Sequence, residues 1–375
     1  MINLSFPNFF NANLPLKKPA GTLTFQFDTA PILDLAASFD RKLSDSIANA
    51  WDLKGNRKSG YREPIDLDRV VVFGDSLSDP GNLFKLTGGL VPPSLPYSNG
   101  RFSNGDIWID YFAKENGLDS PSIANFAVGG AKSGLENIST TLFGLPASLN
   151  LPGVLTEVNA FASQPTFVSD PNTLYVLWGS NNDLLNLPRD PQGALKGIFD
   201  TVFNIARSVR VLAQLGAENI LIPNSVNLGL TPFTQSNGTS QLATTASIVF
   251  NRLLDRTVPI LERGLGVNII EVDLFKLSQQ VAANPGKFGF TNITDPLIST
   301  PNPVNPAGYV WWDQVHPTTQ FHQLVAKTFE TAVEKSFNRS STLLTSDRWR
   351  GTAKSALEDL LPTSSSSWQN SPLKV

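Results

Sequence analysis

The chain has 375 residues, 41% of them hydrophobic and only 16% charged, with a net charge of −3. The apolar share is enough for a sizeable core, and there is no basic excess to neutralise phosphates, which sets nucleic-acid binding aside. Cysteine is absent, so disulfides, thiol nucleophiles, iron–sulfur clusters and cysteine-ligated zinc are excluded together.

Residues 1–64 read as an N-terminal extension. The opening stretch MINLSFPNFFNANLPLKKP has no basic start, and Pro7, Asn8, Asn11 and Asn13 interrupt its apolar run. That argues against a cleavable signal peptide. No apolar run reaches the roughly 18 residues of a membrane span. Low charge and many Asn, Ser and Thr lean toward export by another route. After Pro31, the residues Ile32, Leu35, Phe39, Leu43, Ile47 and Trp51 recur three and four apart, the spacing of one apolar stripe on a helix. Asp34, Asp40, Arg41, Lys42 and Asp45 fall elsewhere on it. A face of mixed charge suits docking on the main domain better than a membrane surface.

From about residue 65 to 337, short β-branched runs alternate with helical patterns. Strands are predicted at Arg69–Phe73, Ile123–Val128, Thr173–Trp178, Asn219–Pro223 and Val267–Val272. Helices are predicted near 105–116, 154–163, 192–215, 240–264, 273–283 and 318–337. Apolar strands each followed by a helix predict a parallel sheet covered on both faces, with any site at the strands' carboxyl ends. Residues 338–375 are predicted as a partly mobile tail. It carries a short helix near 351–361, then Pro362 and the run Ser364–Ser367.

Several widespread motifs are missing. There is no Walker A sequence, no G-x-G-x-x-G after a strand, no H-E-x-x-H and no G-x-S-x-G. Only two histidines occur, His316 and His322. Histidine chemistry must use one of them, and a zinc site with two or three histidines is nearly excluded.

Four blocks carry candidate chemistry. VVFGDSLSDPGN, residues 71–82, puts the Ser76 hydroxyl just past a buried strand, where parallel-sheet enzymes react. Taken alone it is equally a strand–turn–helix corner capped by Asp75, Ser76 or Ser78. NFAVGGAKSG, residues 125–134, has paired glycines that permit either a tight turn or a close backbone approach to a ligand. WGSNND, residues 178–183, offers asparagine donors in a place where turn residues and caps are also common. YVWWDQVHPT, residues 309–318, sets Asp313 three residues before His316. In a helical turn both would share a face, and a carboxylate beside an imidazole holds its tautomer, as serine nucleophiles need. Pro317 suits the first turn of the following helix.

These blocks, in this order, together with GRFSNGDIWIDY (100–111) and FTNITDP (290–296), resemble the GDSL (SGNH) family of serine esterases and lipases over roughly residues 67–335. The resemblance implies an α/β three-layer sandwich around a parallel, flavodoxin-like five-stranded sheet. Position by position it implies Ser76 as nucleophile, His316 as base and Asp313 as the group that orients it. The implied oxyanion hole is the Ser76 and Gly130 backbone with the Asn182 side chain, Gly129 being the neighbouring choice. One departure stands out: Ser180 occupies a position that is glycine in the family, with Gly179 one place earlier. Asn182 is chosen over Asn181 because it directly precedes Asp183. The implied activity is cleavage of a small-molecule or lipid carboxylic ester through an acyl-enzyme, with no metal and no organic cofactor. A polysaccharide O-acetylesterase is an alternative within the family, and a catalytically silent binding protein on the same fold is one of another class. Asp75 and Asp183 are read as structural, and Arg101 as half of a structural salt bridge. Within the apolar segment 138–153, Phe143 and Leu145 either line the substrate site or pack as a satellite cluster.

Overall fold

Side chains alternate across a strand, so strands that are apolar throughout must be covered on both faces. The computed structural model describes residues 67–164, 170–301, 303 and 307–347, together with Ile47, and it has this arrangement. Five parallel strands, β1 (Arg69–Gly74), β2 (Ile123–Asn125), β3 (Thr173–Trp178), β4 (Asn219–Pro223) and β5 (Asn268–Val272), form one sheet in the order β2-β1-β3-β4-β5. This is the flavodoxin-like order, whose switch point lies where the order reverses beside the first strand.

The helices are α1 (Asn82–Leu86), α2 (Trp108–Glu115), α3 (Ser139–Leu142), α4 (Val154–Ala162), α5 (Asn181–Leu185), α6 (Pro191–Gln214), α7 (Pro232–Ser236), α8 (Ser240–Leu265), α9 (Leu274–Ala283) and α10 (Thr319–Asp347). Val71, Phe73, Tyr175, Leu177, Ile220 and Ile222 face one side and pack with α4, α6 and α8. Val70, Val72, Leu174, Val176 and Leu221 face the other and pack with α2, α9 and α10. The result is a three-layer sandwich. No helix among the described residues is long and apolar enough to cross a membrane.

Local chemistry sets the boundaries. Asp190 caps α6 through the Gly193 N–H, with Pro191 in the first turn. Gly266 ends α8 in the left-handed region at φ 72°. Strand β2 is shorter than predicted because the Asn125 carboxamide oxygen accepts the Ala127 N–H at 3.0 Å and turns the chain out of the sheet. The Phe126 and Val128 N–H groups still reach the Val72 and Gly74 carbonyls. Helix α10 runs on to Asp347, past the end predicted near 337.

Of the apolar stripe predicted on residues 32–51, only Ile47 is described, and it is fully buried in the core beside β1 and β3. The rest of that helix, the helix near 351–361 and the serine run lie outside the described residues.

Candidate active site

The carboxyl ends of β1, β2 and β3 all lie on one edge, which is how residues distant in sequence come to one place. Gly74 ends β1 in register with Trp178 of β3. A Cβ on Gly74 would stand 2.5 Å from the Trp178 carbonyl, so only glycine fits there. The next residues turn sharply: the Ser78 N–H donates to the Asp75 carbonyl at 3.0 Å and the Leu77 N–H to the Asp75 carboxylate at 3.0 Å. This leaves Ser76 at the strand tip with 8% of its surface exposed.

Buried carboxylates lock the surrounding loops. Asp79 accepts the N–H groups of Gly81, Asn82, Leu83 and Gly129, which start α1 and pin the paired-glycine loop. Glu157 of α4 accepts the Gly74 N–H at 2.8 Å and the Val128 N–H at 3.1 Å, tying the ends of β1 and the second block together. Asp183 accepts the N–H and hydroxyl of Ser133 at 2.8 and 3.0 Å. Burial pushes Asp75 up to about 7 and Asp183 up to about 6, and it raises Asp79 and Glu157 despite their backbone hydrogen bonds.

Gly130 sits at φ 80°, a left-handed conformation that favours glycine, and its carbonyl accepts the Ile138 N–H at 2.9 Å. After β3, Ser180 is the buried residue that precedes α5. The Asn181 side chain turns inward and accepts the Ser225 hydroxyl at 3.1 Å. The Asn182 amide donates one hydrogen to the Ala131 carbonyl at 2.9 Å. A carboxamide nitrogen carries two hydrogens, so a second donor remains. Ser76, Gly130, Asn182, Asp313 and His316 all line one hollow.

The 313–316 segment is a bend rather than the predicted helical turn. The Asp313 carboxylate accepts the Val315 and His316 N–H groups at 2.9 and 2.7 Å, and the Trp312 N–H donates to the His316 carbonyl. This local capping brings the imidazole to its partner. His316 Nδ1–H donates to Asp313 Oδ2 at 2.7 Å, and the Ser76 hydroxyl faces His316 Nε2 at 2.9 Å. Burial pushes Asp313 up, but the imidazole's charge and hydrogen bond, with the two N–H donors, hold it below the usual carboxylate range. Pro317 does not begin the following helix. It bridges to Trp311, and α10 starts at Thr319.

His322 lies on α10, is buried, and has no hydrogen-bond partner for either ring nitrogen among the described residues. Burial pushes it down to about 3. Arg101 makes a two-pronged ion pair with Asp110, both contacts 2.9 Å. Phe143 borders the hollow and, together with Leu145, packs in a satellite cluster with Leu83, Val91, Phe102 and Val128. Among the described residues, no three His, Asp or Glu side chains gather as metal ligands.

Three features escaped the sequence reading. The Tyr97 hydroxyl donates to Asp313 Oδ2 at 2.8 Å, the same oxygen that pairs with the imidazole. The Phe102 ring lies with its centroid 4.9 Å from that of His316. A second hollow, counting its open mouth ≈ 860 Å³, also reaches Ser76 and His316 and is walled mainly by apolar side chains. For Tyr97 the only available signal was its place beside GRFSNG, a segment the resemblance already covered.

The fold is an α/β sandwich, and a serine, a histidine and a carboxylate converge on the sheet's carboxyl edge. The GDSL-like lipase/acylhydrolase family matches residues 70–329, and the chain belongs to it, which makes it a carboxylic ester hydrolase. It is similar to a phosphatidylcholine-sterol acyltransferase of Aeromonas hydrophila, 27% identical over 72% of this chain and 91% of that one. It is also similar to a thermolabile hemolysin of Vibrio parahaemolyticus, 27% identical over 87% of this chain and 77% of the relative. A GDSL esterase/lipase of Arabidopsis thaliana is likewise 27% identical, over 72% of this chain and 93% of its own length.

Proposed function

We propose that the protein cleaves carboxylic esters through an acyl-enzyme on Ser76. The observation that carries this reading is the unbroken line from Asp313 Oδ2 through His316 to Ser76 Oγ, with contacts of 2.7 and 2.9 Å. A serine hydroxyl is a poor nucleophile until a base takes its proton. His316 Nε2 takes it as Oγ attacks the ester carbonyl, then returns it to the leaving alkoxide. Asp313 stays ionised, because its carboxyl is held below the ordinary range. It keeps Nδ1 protonated and stabilises the imidazolium. The Ser76 and Gly130 N–H groups and the remaining Asn182 hydrogen meet the oxyanion, in a site where such donors need no reorganisation. Water, deprotonated by His316, then releases the acid. Ester, water and these side chains account for every proton and electron pair.

The reading is tested by hydrolysis of p-nitrophenyl esters by wild type and Ser76→Ala, with mass spectrometry of the enzyme trapped during turnover. A serine-linked acyl adduct on Ser76 supports it. Full activity in Ser76→Ala overturns it. The apolar wall of the larger hollow favours a lipid ester over an acetylated polysaccharide, and a parallel assay on acetylated xylan separates the two. The intact Ser76, His316 and Asp313 set argues against a silent binding protein.

A further inference from the structure

A backbone N–H serves an oxyanion only if its direction is fixed. Gly130 lines the hollow that it shares with Ser76 and Asn182, ≈ 690 Å³ with its open mouth, and no acceptor takes its N–H among the described residues. In a planar trans peptide the carbonyl and the N–H point opposite ways, so whatever holds the Gly129 carbonyl aims the Gly130 N–H. Two side chains hold it. The Asn137 amide donates to that carbonyl at 3.1 Å and the Ser139 hydroxyl at 2.9 Å, one for each lone pair. The second Asn137 amide hydrogen goes to the Pro152 carbonyl at 2.9 Å, and the Asn137 carboxamide oxygen accepts the Ser139 N–H at 2.8 Å. With both hydrogens and the oxygen engaged, the carboxamide is fixed. Ser139 is fully buried in the wall of the same hollow. A Cβ on Gly130 would run into the Ser139 hydroxyl and the Asn137 carboxamide oxygen, so the clamp packs directly on the residue it aims. The segment closes as a hairpin: Ala131 bridges to Asn137, and the Lys132 N–H donates to the Glu136 carbonyl at 3.0 Å. The Asn182 amide is bonded to the Ala131 carbonyl of that hairpin at 2.9 Å.

We propose that Asn137 and Ser139 are positioning residues for ester cleavage: they hold the Gly129 carbonyl so that the Gly130 N–H stays aimed at the oxyanion. This rests on the reading that Ser76 is the nucleophile and that Gly130 meets the oxyanion. Neither side chain has to touch the substrate, because the Ser139 proton and both Asn137 amide hydrogens are already committed to backbone carbonyls. A carbonyl that accepts two hydrogen bonds is also polarised, which makes the N–H across the same peptide a stronger donor. The benefit falls on the transition state, where the ester oxygen gains its charge, and hardly on the bound ester.

The test is Ser139→Ala, which removes one hydroxyl and leaves Asn137 on the carbonyl; Asn137→Ala gives the same reading if the first variant does not fold. Two quantities are read for the folded enzyme: kcat and KM for p-nitrophenyl butyrate, and the inhibition constant of an alkyl trifluoromethyl ketone. Ser76 Oγ attacks the ketone carbon, the carbonyl π pair moves onto oxygen, and the Oγ proton passes to His316. The adduct therefore carries an oxyanion where the ester intermediate does. Ser139→Ala should lower kcat about tenfold, part of the roughly 10²–10³ that follows loss of a whole donor. KM should move less than about twofold, and the inhibition constant should rise by about the factor by which kcat/KM falls. A merely structural role would lower the thermal midpoint and leave both readings at wild type. An unchanged kcat, a loss carried by KM, or a fall in kcat with unchanged ketone affinity would each overturn the proposal. If wild type forms no Ser76 adduct with the ketone, the nucleophile reading falls and this proposal with it. An adduct equally tight in wild type and Ser139→Ala removes only the positioning role.

Discussion

Beneath Ser76, the carboxylates of Asp75, Asp79, Glu157 and Asp183 are buried against backbone N–H groups, and burial raises all four. Across the hollow, Asp313 is equally buried, yet it is held low because an imidazole faces it. The chemical group is the same on both sides, and its partner decides what it does. A carboxylate meeting only backbone N–H and hydroxyl donors acts as a clamp on loops. One meeting a ring that can become a cation can hold charge during a reaction.

The sharpest way to break this comparison is Asp313→Asn against Asp79→Asn. If the contrast is real, Asp313→Asn lowers kcat on the order of 10⁴-fold with a thermal midpoint near wild type, as loss of the orienting carboxylate does in serine hydrolases generally. Steady-state kinetics and calorimetry on both variants check it. Asn182→Ala should follow, with kcat falling about 10²–10³-fold and KM moving far less, since the oxyanion exists only near the transition state.

Tyr97→Phe sharpens the comparison on the Asp313 side. It keeps the edge-on packing of the ring against Phe102 and Trp312 and removes one donor to Asp313 Oδ2. A carboxylate with one fewer donor is more basic and holds the imidazolium more strongly. The acid limb of the kcat/KM profile should move to higher pH, with kcat down about tenfold, about 1.4 kcal/mol. A loss of activity without movement of the limb would assign Tyr97 to packing alone.

On the clamp side, Asp79→Asn puts an amide among four N–H donors. It should cost about 1–3 kcal/mol of stability in urea unfolding, while the folded fraction keeps most of its activity. A further effect on the clamp side is a slope. Asp75 has its ordinary value near 3.8 in the unfolded chain and about 7 when folded. The folded state therefore holds the proton more tightly. Its contribution to stability is complete below about pH 4 and is lost as pH rises through 7. Asp75→Asn should flatten stability across pH 4–7, read from urea midpoints in that range.

His316 and His322 give the same lesson within one segment. Both are buried, six residues apart in the sequence, and composition alone could not rank them. Asp313 at a spacing of three singled out His316, and the bend around the carboxylate makes that spacing work without a helix.

Much of the framework was readable because it is local. The runs at 70–74, 173–178 and 219–223 are buried end to end, and a strand with two covered faces announces itself by lacking alternation. The serine after β1, the paired glycines after β2 and the Asn-Asp pair after β3 sit at strand ends, so a parallel sheet brings them to one edge with no further information. Strand β2 was overestimated because propensity along 126–128 cannot reveal that Asn125 turns the chain away.

What stayed hidden depends on partners far along the chain. Glu157 reaches Gly74 across 83 positions and Tyr97 reaches Asp313 across 216. A glutamate in an amphipathic helix and a tyrosine in a proline-rich loop look like surface and core residues until packing supplies what they touch. That Phe143 and Leu145 share a satellite cluster while only Phe143 also borders the hollow is likewise set by where α3 lies. The residue types and their order along the chain determined which chemistry was available. Only the tertiary packing decided which carboxylate meets an imidazole and which side chains wall each hollow, because those depend on burial and distance between elements that no local pattern encodes.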